Sequence, residues 1–376
     1  MKYFFLFFAC CFSNWLAAQT IQNTIQYNGT TRTFNIYLPA NYSTSQPCPI
    51  VLNLHGYGSS AYQQASLSNM NNVADTAGFI VVYPEGLPDG SGLRQWNSGY
   101  GTGVDDVGFI NLVLDFTAAN YVVNQQKIYS TGLSNGGIMS NTLACELSGR
   151  IAAIAGVAGT MSWLQYSSCT NAASIPVMHI HGTSDLIVPY NGNTALLGVT
   201  TLVNHWRARN NLTTNNTTTA YPNVNTTDGC YAELIAYETG SATPVHLIRV
   251  TNGGHTWPGS GFNLNGNVNM DIDASVEIWN FFQQFSSNYT HQTPLAAAAK
   301  GIENWRVLGQ GQQLQWTQQE ASQLHLSNAL GQVVLEQKVA GTGQQTLLLP
   351  NLPKGIYWVS YQQAGQALQN FSFIKS

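Results

Sequence analysis

The sequence predicts an α/β domain with a mostly parallel sheet, followed by a small all-β sandwich. Three observations carry this. Between about residue 33 and residue 255, apolar β-rich runs alternate with stretches of helical period. Those runs are apolar at nearly every position, which marks strands buried on both faces. Beyond residue 300 the period changes to two, with glycines between the runs.

In chain order, residues 1–18 come first. They hold one early cation, an apolar run through Phe4–Phe8 and the small ending Leu16-Ala17-Ala18, which predicts a secretory signal cleaved after Ala18. The mature chain would keep Cys48, Cys145, Cys169 and Cys230, an even number that in an exported protein points to disulfides of undetermined pairing. None has zinc-site spacing, so no metal is expected.

Strands are predicted at 33–38, 50–54, 79–83, 127–130, 152–157, 177–180 and 245–250. Helices are predicted at 104–116, 138–147 and 273–282. The α/β domain is placed at 19–285, a linker at 286–300 and the sandwich, with six or so strands, at 301–376. Only 8% of residues are charged and the net charge is −4, so nothing offers a basic surface to nucleic acid.

The sharpest local signal is Gly132-Leu133-Ser134-Asn135-Gly136-Gly137, between a predicted strand and a predicted helix. A serine on so tight a turn needs flanking glycines, because side chains there would meet crowded backbone. The turn presents the hydroxyl outward as a candidate nucleophile. A base and an orienting carboxylate should then follow in the order acid, His. Asp185, in His181-Gly-Thr-Ser-Asp185, and His255, in Gly253-Gly-His255-Thr-Trp257-Pro, fit that order, each after a predicted strand.

Two donors for a developing oxyanion are expected from the backbone N–H of Asn135 and from that of Tyr57, with Gly56 as the neighbouring alternative, in Leu54-His55-Gly56-Tyr57-Gly58. His55 and His181 read as structural hydrogen-bonding residues. Trp96 and Trp257 are candidate aromatic walls for a substrate. Asp105 and Asp106 read as caps of the helix that follows them rather than as an acid/base pair.

Together with Gln95-Trp96-Asn97 and Val104-Asp-Asp-Val-Gly-Phe109, these motifs make residues 20–285 resemble secreted polyhydroxybutyrate-depolymerase-like esterases, close to the feruloyl and acetylxylan esterases of the carbohydrate esterase family one type. The resemblance implies an α/β-hydrolase fold, a Ser134–His255–Asp185 triad, no cofactor and a carboxylic ester as substrate, with feruloyl or related plant cell-wall esters foremost. Polyester depolymerase, acetylxylan esterase and peptidase are the enzymatic alternatives. A glycan-binding surface protein on a hydrolase scaffold is the non-enzymatic one.

The C-terminal Lys354-Gly-Ile-Tyr-Trp-Val359 and Phe371-Ser-Phe-Ile-Lys375 resemble a type IX secretion sorting domain. That implies contact with the secretion machinery, export to the medium or cell surface, and no stable membrane span. A carbohydrate-binding sandwich carrying Trp305 and Trp316 is the alternative.

Overall fold

The computed structural model describes residues 18–99, 103–170, 173–213, 216–237 and 243–289, and beyond residue 302 seven strands with short adjoining pieces. All of the expected signal at 1–18 except Ala18, and most of the expected linker at 286–300, lie outside the described residues, as do the side chains of Trp305 and Trp316.

Among the described residues, twelve strands precede residue 289. They are β1 (Gln19–Tyr27), β2 (Thr30–Leu38), β3 (Cys48–Leu54), β4 (Ile80–Pro84), β5 (Leu87–Pro88), β6 (Arg94–Gln95), β7 (Val123–Leu133), β8 (Ala153–Val157), β9 (Val177–Gly182), β10 (Thr217–Ala220), β11 (Tyr231–Tyr237) and β12 (Val245–Thr251). The helices are α1 (Ala61–Ser68), α2 (Met70–Ala77), α3 (Asp106–Asn120), α4 (Asn135–Glu146), α5 (Trp163–Ser168), α6 (Val199–Arg209) and α7 (Ala274–Phe282).

Ten of these strands form one sheet in the order β1-β2-β4-β3-β7-β8-β9-β12-β11-β10. The six central strands, β4 to β12 in that order, are parallel throughout. Antiparallel pairs close both edges.

The near-continuous apolar runs follow from burial on both faces. On β3, Ile50, Leu52 and Leu54 point into a core shared with Phe109, Met139, Leu143 and Trp206 of α3, α4 and α6. Val51 points the other way, into a core shared with Ala61, Met70, Ile278 and Phe282 of α1, α2 and α7. Successive side chains serve opposite faces, so a strand between two helical layers has no position for water.

Asp105 caps α3 through the Gly108 amide, and Asp273 caps α7 through the Ser275 and Val276 amides. Asp106 does not cap. It is buried, 2.6 Å from Arg32, and accepts from the Asn97 amide at 2.7 Å. Its job is to neutralise a buried guanidinium and hold the segment after Trp96.

The disulfide expectation holds for one pair, Cys145–Cys169, which ties the end of α4 to the end of α5. Cys48 and Cys230 are free thiols, which corrects the reading that the even number would pair throughout. Burial pushes each thiol up to about 11.

The C-terminal part holds β13 (Glu303–Leu308), β14 (Gln313–Gln318), β15 (Ser322–Asn328), β16 (Val333–Val339), β17 (Gly343–Leu348), β18 (Gly355–Gln363) and β19 (Gln369–Lys375). They form sheets β13-β14-β17 and β16-β15-β18-β19, which share Leu314, Leu324, Leu326, Leu347 and Val359 as a small core. The terminal motif is the antiparallel pair β18–β19, with Ile356 opposite Ile374.

Candidate active site

Each of the six parallel strands ends in a loop at its C-terminal end, where an open α/β sheet places a site. Neighbouring strands bring together residues far apart in sequence. Leu54 of β3 pairs with Gly132 of β7, so the 55–58 loop and Ser134 emerge side by side. Gly182 of β9 pairs with Val250 of β12, which sets the Asp185 and His255 loops together.

Ser134 sits between β7 and α4 with φ 54° and ψ −118°, outside the regions that L residues ordinarily occupy. Its amide donates to Val157 O at 2.8 Å, and its carbonyl accepts from the Ile138 amide at 2.9 Å, which hold the turn. Glycine is required next to it. A Cβ on Gly132 would lie 2.5 Å from Leu54 O, and one on Gly136 would lie 2.1 Å from the same atom. Strand β3 can run alongside this turn only because neither residue has a side chain.

The acid and base loops are laced to each other. The Ser184 amide donates to Gly253 O at 2.9 Å, and the Asn252 amide donates to Thr183 Oγ1 at 2.9 Å. His255 Nδ1 lies 2.8 Å from Asp185 Oδ2, with both residues buried. Asp185 Oδ1 accepts from the Ile187 and Val188 amides, both at 2.8 Å. Burial pushes the Asp185 carboxyl upward, but the hydrogen bonds and charge of His181 and His255 outweigh it, so it lies well below the usual carboxylate range. It is an anion beside an imidazole. His255 is anchored by its own amide, which donates to Asn265 O at 2.7 Å.

Next to Ser134, a Cβ on Gly56 would be 3.5 Å from the Ser134 Cβ, so the 55–58 loop lies against the elbow. The Tyr57 amide makes no backbone hydrogen bond among the described residues, while its neighbours do: the Gly58 amide donates to Arg94 O and the Ser59 amide to Gly56 O. The Asn135 amide is at the first position of α4, where a helix leaves its N–H groups without intrahelical acceptors.

The Asn135 side chain ties this loop system together, a role the sequence reading did not assign. Its Oδ1 accepts from the Trp96 amide at 2.7 Å, and its Nδ2 donates to Ser98 Oγ at 2.8 Å. Trp96 Nε1 donates in turn to His55 O at 2.9 Å, and His55 Nε2 accepts from the Gly86 amide at 3.0 Å. His55 is therefore structural, as read from the sequence, and burial holds its charged form down.

The two tryptophan expectations need correction. Trp96 is fully buried and Trp257 is 1% exposed, its Nε1 donating to Ser275 Oγ at 3.2 Å. Both are core side chains with satisfied N–H groups, and neither faces the cavity.

That cavity has about 680 Å³ and opens over Ser134 and His255. Its walls are Tyr57, Tyr62, Gln63 and Leu67 on one side, and Ile187, Phe262 and Leu264 on the other. No Asp, Glu, Lys or Arg is among the described residues that line it. The sequence held one usable signal for these walls: Ile187 follows Asp185 by two residues, Phe262 and Leu264 follow His255 in the same loop, and α1 opens just after Tyr57.

Comparisons with known proteins agree with this architecture. Residues 32–195 match the family model described as esterase PHB depolymerase, and residues 312–375 match a secretion system C-terminal sorting domain. Over 172 residues, 46% of this chain and 24% of the relative, the sequence is 27% identical to the bifunctional acetylxylan esterase/xylanase XynS20E of Neocallimastix patriciarum. Over 257 residues, 67% of this chain and 45% of the relative, it is 28% identical to feruloyl esterase B of Piromyces equi. The chain thus spans less than half the length of these two curated relatives. A solved acetyl xylan esterase from Aspergillus awamori superposes with TM-score 0.52 at 16% identity, over 70% of this chain and 99% of that one, which establishes the α/β-hydrolase fold. Residues 32–195 are thus similar to the esterase PHB depolymerase family, and residues 312–375 to a secretion system C-terminal sorting domain.

Proposed function

We propose that the protein is an exported serine carboxylesterase in which Ser134, His255 and Asp185 act as a triad. The observation that carries this is the 2.8 Å contact of His255 Nδ1 with the buried Asp185, with His255 and the strained Ser134 lining one cavity. Ser134 Oγ attacks the ester carbonyl while His255 Nε2 takes its proton. The tetrahedral intermediate collapses as His255 returns the proton to the departing alcohol, and water releases the acyl group by the same steps. Asp185 fixes the tautomer of His255 and stabilises its imidazolium form. The Tyr57 and Asn135 amides stabilise the oxyanion. No cofactor enters these steps.

The acyl group is proposed to be aromatic and uncharged, as in feruloyl and related cell-wall esters. An uncharged cavity walled by Tyr57, Tyr62, Phe262 and aliphatic side chains suits an aryl group, and Ser59, Gln63 and Ser66 offer polar partners for ring substituents. Feruloyl esterase B, similar over 67% of this chain, favours the same class. Polyester and acetylxylan remain the enzymatic alternatives, and glycan binding on an inactive scaffold the non-enzymatic one.

Cleavage of a signal after Ala18, the division into 19–285, a 286–300 linker and 301–376, and passage through the type IX machinery complete the proposal. The match of residues 312–375 to a sorting domain supports the export route.

The test is hydrolysis of methyl ferulate, acetylated xylan, p-nitrophenyl butyrate and polyhydroxybutyrate by wild type and by Ser134→Ala. Methyl ferulate is expected to be the best substrate for wild type, with the variant inert. A folded wild type that cleaves none of the four, or a variant as active as wild type, would sink the reading in favour of glycan binding.

A further inference from the structure

Two histidines, His255 and His181, contact Asp185, and a third, His179, stands behind His181; the triad accounts for only the first. Asp185 Oδ2 receives His255 Nδ1 at 2.8 Å and also lies 3.3 Å from His181 Nε2. The same Nε2 is 2.9 Å from Val188 O. A carbonyl and a carboxylate can only accept, so His181 Nε2 carries a hydrogen.

On the other side of the ring, His181 Nδ1 lies 2.9 Å from His179 Nε2. His179 is buried, which together with the neighbouring His181 holds its charged form well down, and its Nδ1 has no hydrogen-bond partner among the described residues. With its hydrogen on Nε2, a neutral His179 donates to His181 Nδ1 and leaves only a lone pair on the buried Nδ1. The opposite arrangement would bury an N–H with no acceptor, which costs more. His179 therefore holds His181 in the tautomer that donates from Nε2.

We propose that His181 is a positioning residue for Asp185: its Nε2–H keeps Oδ2 turned toward His255, and His179 keeps His181 donating. The inference rests on the esterase reading above. The Ile187 and Val188 amides already fix Oδ1, so His181 supplies the restraint on the oxygen that His255 uses. Each turnover charges and discharges the His255 ring, and a carboxylate held from both ends keeps its place as that pull changes. The other groups facing His181 are the Tyr190 ring, edge-on at 5.9 Å, and Arg249, opposite it on β12. Arg249 is engaged by Glu233 and Tyr190.

The test compares His181→Leu and His181→Gln with wild type on p-nitrophenyl butyrate across pH. In His181→Leu, kcat should fall roughly ten- to a hundredfold with KM little changed, as for a lost hydrogen bond to a charged group. The acid limb of kcat/KM should move to higher pH, because an Asp185 with one donor fewer holds the His255 proton more tightly. His181→Gln, whose amide reaches toward the place of Nε2, should recover most of the loss. An unchanged acid limb together with a Gln variant no better than Leu would reduce His181 to packing and overturn the inference.

Should His181→Leu fail to fold, histidine-selective 15N NMR of wild type decides. A hydrogen on Nε2 and a bare Nδ1 on His181 are expected, and a hydrogen found on Nδ1 overturns the proposal. If wild type is inert or Ser134→Ala keeps its rate, the esterase reading falls first and this inference with it.

Discussion

The floor of the site and its rim are built by opposite means. On the floor, His55 and Trp96 are fully buried and Asn135 is 7% exposed, and hydrogen bonds of 2.7 and 2.9 Å join the three through Trp96. On the rim, Tyr57, Tyr62, Phe262 and Leu264 are 51 to 76% exposed. The floor is fixed by backbone close approach and saturated polar groups, so a small change there propagates. The rim is held mainly by the loops that carry it, so its side chains can vary without disturbing the chemistry. The two regions should therefore fail differently, the floor in stability and kcat, the rim in KM.

The largest effect is expected from Gly136→Ala. Its new Cβ would sit 2.1 Å from Leu54 O, and neither strand β3 nor the elbow can retreat without breaking the pairing of Leu54 with Gly132. A loss of about 3 kcal/mol or more is expected. Thermal unfolding checks it, and a variant with wild-type Tm would show that the elbow has slack the geometry denies it.

Next comes Asn135→Ala. It keeps the backbone amide but removes the acceptor of the Trp96 amide and the donor to Ser98. With the Trp96 segment released, the 55–58 loop loses its brace, and kcat should fall roughly tenfold or more, since each buried polar group left unpaired costs about 1–3 kcal/mol. Equal loss for acetyl and feruloyl esters would place the defect on the floor. A loss confined to feruloyl esters would mean that Asn135 serves the acyl pocket, which the comparison excludes.

The same division explains what was legible in the sequence. Gly132, Ser134 and Gly136 announce themselves because their backbone permits no other residue types, and Asp185 and His255 because strand ends and chain order constrain them. The parallel strands were legible because burial on both faces leaves apolar runs such as 50–54 and 153–157. Strand β1 was missed because Gln19-Thr-Ile-Gln-Asn-Thr-Ile-Gln-Tyr27 is an edge strand, mostly exposed and polar. Trp96 and Trp257 misled because a motif next to a site does not say which way its side chains point, and here both point inward. The rim escaped because its one signal was nearness in sequence to Tyr57, Asp185 and His255, while Tyr62, Phe262 and Leu264 reach the cavity through loop and helix placement that nearness does not specify.

Phe262→Ala tests the rim directly. Phe262 is half exposed and lines the cavity from the loop after His255. Removing its ring should raise KM for methyl ferulate several-fold, because a partly exposed ring gives up about 1–2 kcal/mol of apolar contact, and leave kcat for p-nitrophenyl acetate near wild type. A fall in kcat for both substrates would mean that the loop transmits strain to His255, whose amide it holds through Asn265 O at 2.7 Å. Rim and floor would then be one structure.

The smallest effect is expected where the two regions meet, at Tyr57. Its side chain belongs to the rim, half exposed with the phenol donating to Asp89 at 2.6 Å, while its amide is the proposed oxyanion donor. Asp89 is held independently by the Ser91 and Leu93 amides, at 2.8 and 3.1 Å, so losing the phenol leaves the 87–95 segment in place. The Gly58 amide still donates to Arg94 O at 2.8 Å, which fixes the backbone beside Tyr57. Tyr57→Phe should therefore change kcat by about twofold or less, as for surface substitutions generally. Tyr57→Pro, which removes the amide hydrogen, should instead cost on the order of a hundredfold, as for a lost oxyanion donor. If the Phe variant is the more damaging of the two, Tyr57 works through its phenol, and the second oxyanion donor must be sought at Gly56.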